Sequence, residues 1–113
     1  MASLLKTGTL TTSAATVLYT VPSSTQTYVT SIKATNVGGS TRTFTIYVKE
    51  SGGTARAYSQ KTQSIAASGS AGSSIQVVDD AQGLRLPVGA AICGDASANT
   101  DIEYVISGIE SAA

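Results

Sequence analysis

Histidine and tryptophan are both absent from this chain, and cysteine occurs once. Histidine is the side chain most often used to move protons near neutral pH. Without it, a serine or cysteine nucleophile has no imidazole to activate it and a metal site has no imidazole ligand. Cys93 has no second thiol to pair with, so an intrachain disulfide and a thiolate metal cluster are both excluded. The residue is expected as a small buried hydrophobe on a strand, because free cysteine is among the most buried residue types.

Charge is sparse as well. Seven Lys and Arg balance seven Asp and Glu, for a net charge of +0. The cations Lys6, Lys33, Arg42, Lys49, Arg56, Lys61 and Arg85 are spread along the chain with no block of like charge. Nucleic-acid affinity rests on clustered cations that neutralise phosphates, so neither nucleic acid nor an anionic membrane surface is an expected partner. Charged residues make up 12% of the chain, less than a freely soluble monomer commonly carries. Its surface is therefore built from Ser, Thr, Gly and Ala, or is covered by another protein. Met1 to Lys6 holds only the pair Leu4-Leu5 as strongly apolar residues, too little for a secretory core, and no later run reaches membrane-spanning length. Synthesis in the cytosol is expected, with any later exposure reached by another route.

What the chain does have is alternation. Phe44, Ile46 and Val48 fall on one face of an extended segment, and Thr43, Thr45, Tyr47 and Lys49 on the other. Upstream, Tyr28, Thr30, Ile32, Ala34 and Asn36 oppose Val29, Ser31, Lys33, Thr35 and Val37. With the short loop Gly38-Gly39-Ser40-Thr41 between them, the two segments read as a β-hairpin. Further strands are expected over Thr7–Thr12 at an edge, over Thr16–Val21 before Pro22, and near Arg56–Gln60. Others are expected over Ser73–Val78, over Leu84–Val88 turning at Pro87 and Gly89 into Ala90–Gly94, and over Asp101–Ile109 with Ile102, Tyr104 and Ile106 on one face. Ser68-Gly69-Ser70-Ala71-Gly72 is a loop. No segment keeps a helical period. The chain reads as one all-β domain over residues 1–113, a β-sandwich or jelly roll of roughly seven to eight short antiparallel strands, with residues 1–12 as a candidate extended arm.

Nothing in the sequence gathers reactive groups. Of the carboxylates only Asp79 and Asp80 are adjacent, and neighbours on a strand point to opposite faces, so they cap a strand end or a turn rather than share a proton. Asp95, Asn99 and Asp101 share one loop but lack the spacing of an EF-hand, which leaves an Asx-rich turn as the expectation and calcium as the weaker alternative. The glycine loops at Gly38 and Gly69 lack the lysine and the following helix of a phosphate-binding loop. No catalytic residue, cofactor or metal is assigned, and an enzyme is the least expected class. Of the five tyrosines, Tyr47 is the expected interface aromatic. The residues assigned to an interface are Leu4 and Leu5 in the arm and Thr43, Thr45, Tyr47 and Lys49 on one strand face.

The order of these pieces resembles small β-rich virion proteins of tailed bacteriophages. The runs that carry the resemblance are Leu18-Tyr19-Thr20-Val21-Pro22, Val29-Thr30-Ser31-Ile32, Ala34-Thr35-Asn36-Val37-Gly38 and Thr43-Phe44-Thr45-Ile46-Tyr47-Val48. Two later elements complete it, Leu84-Arg85-Leu86-Pro87-Val88-Gly89 and Val105-Ile106-Ser107-Gly108-Ile109-Glu110. It departs from that pattern at Ser23-Ser24-Thr25-Gln26, where a glycine turn with a basic residue is usual, and at the acidic, polar Asp80–Gly83. The resemblance implies a structural role in the virion without catalysis, as a homo-oligomer, with a trimer expected. The partner would be the major capsid protein or other virion proteins. Capsid decoration is the first expectation; a neck, tail or fibre accessory protein is the second, and a carbohydrate-binding adhesion module the third.

Overall fold

The computed structural model describes residues 2–58, 61–79 and 82–113. The chain forms strands β1 (Ala2–Thr9), β2 (Thr16–Thr20), β3 (Thr25–Asn36), β4 (Arg42–Lys49), β5 (Arg56–Ala57), β6 (Gln63–Ile65), β7 (Ser74–Val78), β8 (Leu84–Leu86), β9 (Ala91–Ala96) and β10 (Ile102–Ala112). One sheet has the order β1-β10-β3, and the far side of β3 takes β7 along its second half and β8 along its first. The other has the order β2-β9-β4, and the far side of β4 takes β5 and β6 in the same way. All pairings are antiparallel. The two sheets pack face to face as a sandwich. The ten strands exceed the seven or eight expected because β3 and β4 each carry two short partners on one edge. Of the strand expected near Arg56–Gln60, Arg56 and Ala57 form β5, while Ser59 and Gln60 lie outside the described residues, as do Met1, Asp80 and Ala81.

The core lies between the sheets. Val29, Ile32, Ile102 and Ile106 come from the first sheet, Phe44, Ile46 and Ile92 from the second, and Leu10 closes one end from the β1–β2 connection. Each such side chain contributes about 1.5–3 kcal/mol on leaving water. On β10 the expected alternation holds, with Ile102, Tyr104 and Ile106 buried and Glu103 and Val105 exposed.

On β3 it holds only in part. Ser107 pairs with Ser31, but Gly108 pairs with Val29, which leaves Thr30 unopposed in a β-bulge. The extra residue reverses the face on which side chains point. Thr27 and Val29 therefore join Ile32, Ala34 and Asn36 inside, and Tyr28 and Thr30 leave the face on which strict alternation placed them. Strand β2 repeats the device. Val17 pairs with Cys93 and Tyr19 with Ile92, so that Leu18 is skipped and consecutive residues Leu18 and Tyr19 are both buried.

The expected hairpin does not form. Strands β3 and β4 belong to different sheets, and the connection between them crosses the sandwich. The crossing is held by Asn36, which is 1% exposed. Its Nδ2 donates to the carbonyls of Ser40 at 2.8 Å and Ile65 at 3.3 Å, and its Oδ1 accepts from the Gly38 N–H at 2.9 Å. Val37 N–H meanwhile donates to the Asp101 carbonyl at 2.8 Å. The loop's polar groups are thus spent on the residue that precedes β10 and on β6 and the segment after it, and β3 and β4 have no tight turn through which to pair.

The segment expected as an extended arm is also fixed within the domain. Residues Ala2 to Thr9 pair with β10 from Glu110 to Glu103, so this segment is the edge strand of the first sheet.

Candidate interaction surfaces

The residues assigned to an interface fall into two groups on different sheets. In β1, Leu4 stands opposite Gly108 and packs half-buried against the core, whereas its neighbour Leu5, opposite Ser107, is 70% exposed on the outer face. In β4, Thr43, Thr45, Tyr47 and Lys49 line the outer face of the second sheet, but they are less available than the sequence suggests. Thr45 is buried, and its hydroxyl accepts the Thr62 N–H at 2.8 Å from the β5–β6 connection. Thr43, half-buried, donates its N–H to the Ser97 hydroxyl at 3.0 Å.

Tyr47 is half-buried and donates its hydroxyl to Asp95 Oδ2 at 2.8 Å. The same oxygen accepts the Ala15 N–H at 2.9 Å. Burial, and then this carboxylate, push the Tyr47 phenol above its ordinary range. Lys49, also half-buried, ends the strand.

The first sheet presents the more open apolar surface. Leu5 pairs with Ser107, which places it diagonally between Val105 and Ile109 on the outer face. These three are exposed by 70%, 42% and 38%, and together they make an apolar strip at the β1 edge. Among the described residues, no strand lies beside the second edge of β1. Lys6, at mid-strand, pairs with Ile106 and so shares the inner-face side of β1, yet it is exposed. An inward charge of this kind discourages indiscriminate pairing at a sheet edge. Val105 and Ile109 were not among the expected interface residues. The signal that could have found them was the alternation of β10 itself, which puts both on the side opposite Tyr104 and Ile106.

The groups weighed for chemistry are dispersed. Asp95 serves Tyr47 and Ala15, Asp101 binds the Arg42 guanidinium at 2.8 Å, and Asn99 Oδ1 accepts the Thr12 N–H at 3.0 Å. The three loop residues thus share no partner among these contacts. Asp79 Oδ1 accepts the Gln82 N–H at 3.1 Å, a turn contact, while Asp80 lies outside the described residues. Among the described residues, no group of three or more His, Cys, Asp or Glu side chains converges on a common point. Cys93 is buried on its strand as expected, and burial raises its thiol pKa, which keeps it in the unreactive protonated form.

None of the tyrosines is fully exposed. Tyr19 and Tyr104 are buried, and Tyr28, Tyr47 and Tyr58 are half-buried. Tyr28 lies beneath the Arg85 guanidinium, 5.2 Å from the ring centroid. No flat aromatic platform of the kind that stacks on sugar rings is on display.

No protein-family model matches this chain, and no curated protein or solved structure matches it significantly.

Proposed function

We propose that this protein is a non-enzymatic structural component of a bacteriophage virion, a decoration protein that docks on the capsid lattice and stabilises it. The observation that carries this reading is the strip of Leu5, Val105 and Ile109 beside the unpaired edge of β1. A decoration protein needs no reacting groups. It needs a rigid domain with one face that gains by being covered, and binding to the assembled lattice alone then stabilises that lattice by mass action. A β-sandwich with an apolar strip and an open strand edge has those properties, and edge pairing is the contact mode they favour. The resemblance of the strand runs to small virion proteins supports the same reading, and a homo-oligomer assembled through the strip would accord with it.

Mixing the protein with undecorated heads, sedimenting them and counting bound copies tests this. Saturation at a multiple set by lattice symmetry is the expected result. The double variant Leu5→Ser, Val105→Thr is expected to lose most of that binding with little change in thermal stability, since both side chains lie on the exposed outer face. Failure of the unmodified protein to bind heads, with a few copies in tail or neck fractions, would transfer the proposal to an accessory role there.

A further inference from the structure

Three of the seven cations that are scattered in sequence meet at one cleft. The cleft has a volume of about 470 Å³ and opens along the seam where β8, on the edge of the first sheet, faces the β4–β5 edge of the second. Lys49, Arg56 and Arg85 contribute to its lining, with Glu50 as the single carboxylate in that lining among the described residues. Arg56 pairs with Val48, which shares the inward-facing parity of Phe44 and Ile46, so on the short edge strand β5 its position faces the seam. Leu84, Leu86 and Pro87 form an apolar wall. The one ion pair among the described residues is Arg42 with Asp101, outside the cleft. A molecule with no net charge thus carries a local excess of positive charge over an apolar wall.

A second, smaller recess of about 270 Å³ shares Arg85, Leu86 and Pro87 and adds Tyr28 and Gln26. The β8 segment therefore lies between two adjacent depressions, with Arg85 lining both. Among the described residues neither β5 nor β8 has a strand on its second edge, so backbone donors and acceptors border the seam from both sheets.

We propose that this seam binds an extended acidic segment of a partner protein, one that carries both carboxylate and apolar side chains. The apolar wall favours side chains that a bare inorganic anion lacks. The open strand edges favour a peptide backbone over a small organic acid, since an added strand satisfies hydrogen bonds that a small ligand leaves to water. Carboxylates would meet Arg56 and Arg85, and apolar side chains would meet Leu84 and Leu86. An inward charge on an edge strand can also serve only to block unwanted pairing. That simpler role predicts no binding of any peptide, and the two are separable by experiment. The proposal stands on the cleft and does not depend on the virion reading.

The test titrates the full isotope-labelled chain with a short blocked peptide alternating leucine with aspartate, and separately with its asparagine counterpart, while backbone amide resonances are followed. Saturable shifts confined to Arg56, Leu84, Arg85, Leu86 and their neighbours are expected for the aspartate peptide. Binding of the asparagine peptide is expected to be about tenfold weaker or less, as loss of a charge-assisted contact implies. Arg56→Gln should weaken the aspartate peptide about tenfold. Lys33→Gln, on an exposed position of β3 outside the cleft, should leave the affinity unchanged. Absence of saturable shifts, shifts scattered among cations outside the cleft, or equal affinity for the two peptides would overturn the proposal.

Discussion

Tyr19, like Asn36, ties the two sheets by something other than apolar contact. Its ring lies in the core from β2, and its hydroxyl donates to Glu110 Oε2 on β10 while lying 2.7 Å from the Thr27 hydroxyl on β3. With the phenol proton committed to Glu110, Thr27 is the donor in the second bond. Burial first, and the Glu110 contact second, push the Tyr19 pKa from 10.0 up to about 12. The folded state therefore holds this proton more tightly than the unfolded chain does, and the resulting stability is fully present below pH 10.0 and is lost as pH rises to about 12. Burial raises Tyr47 and Tyr104 in the same direction, so the loss attributable to Tyr19 must be read by difference. Tyr19→Phe is expected to cost about 1–3 kcal/mol at neutral pH, because buried Thr27 and the Glu110 carboxylate lose their partner. It should also flatten the alkaline decline, and urea midpoints collected across that pH range check both expectations. Gly108 makes a second prediction at this scale. A Cβ there would run into the Tyr28 carbonyl oxygen and the Val29 Cα, which are backbone atoms at the bulge and cannot swing aside, whereas one at Gly39 would meet nothing. Gly108→Ala should lower stability by about 3 kcal/mol. Gly39→Ala should stay within about 0.5 kcal/mol in the same urea series.

Among the elements, the connection between β3 and β4 is the one where local reading and structure part most clearly. Both strands were legible from alternation, and the glycine loop between them has the composition of a tight turn. The loop is instead a crossing between sheets, and the side chain that holds it is Asn36, whose partners include Ile65, far along the chain. Asn36→Ala would leave the Ser40 and Ile65 carbonyls and the Gly38 N–H without their partner, and a loss of roughly 2–3 kcal/mol is expected. Amide exchange should quicken first at Gly38 and in β6, which measures the local nature of the damage. The bulges at Thr30 and Leu18 set a similar limit. Each is an extra residue in one strand, defined only against a partner strand that lies far off in sequence, so strict alternation assigned Tyr28 to the wrong face and has no way to place Leu18 and Tyr19 together in the core. β10 has no extra residue of its own, and its facing was readable throughout.

For the molecule as a whole, the sheets are two but the core is one. Phe44 and Ile46 from the second sheet and Ile32 and Ile106 from the first belong to a single buried cluster, so neither sheet keeps its inner face dry without the other. Thermal unfolding is therefore expected as one cooperative transition, with far-ultraviolet circular dichroism and tyrosine fluorescence tracing the same curve and calorimetric and van't Hoff enthalpies in agreement. Two separated transitions would show that the sheets unfold independently. The pairing of β1 with β10 joins residues near opposite ends of the sequence, and this same closure assembles the apolar strip of Leu5, Val105 and Ile109. Of the candidate surfaces, Leu5 was visible beforehand as an apolar residue in a polar segment. That Val105 and Ile109 join Leu5 in one strip became apparent only once β10 was known to lie beside β1.

The sequence by itself determined that this is an all-β domain, where most of its strands run, that Cys93 is buried, and which face of β10 and of most of β4 turns inward. Those properties follow from side-chain period and turn composition, which are local. Tertiary structure alone decided that β3 and β4 part into different sheets, that bulges reverse the facing of two strands, and that Thr45 and Tyr47 are engaged within the domain. It also brought three scattered cations to one seam. Each of these depends on which distant strand lies alongside, and pairing partners are chosen by burial of a shared core, a property of the assembled chain that no single segment carries.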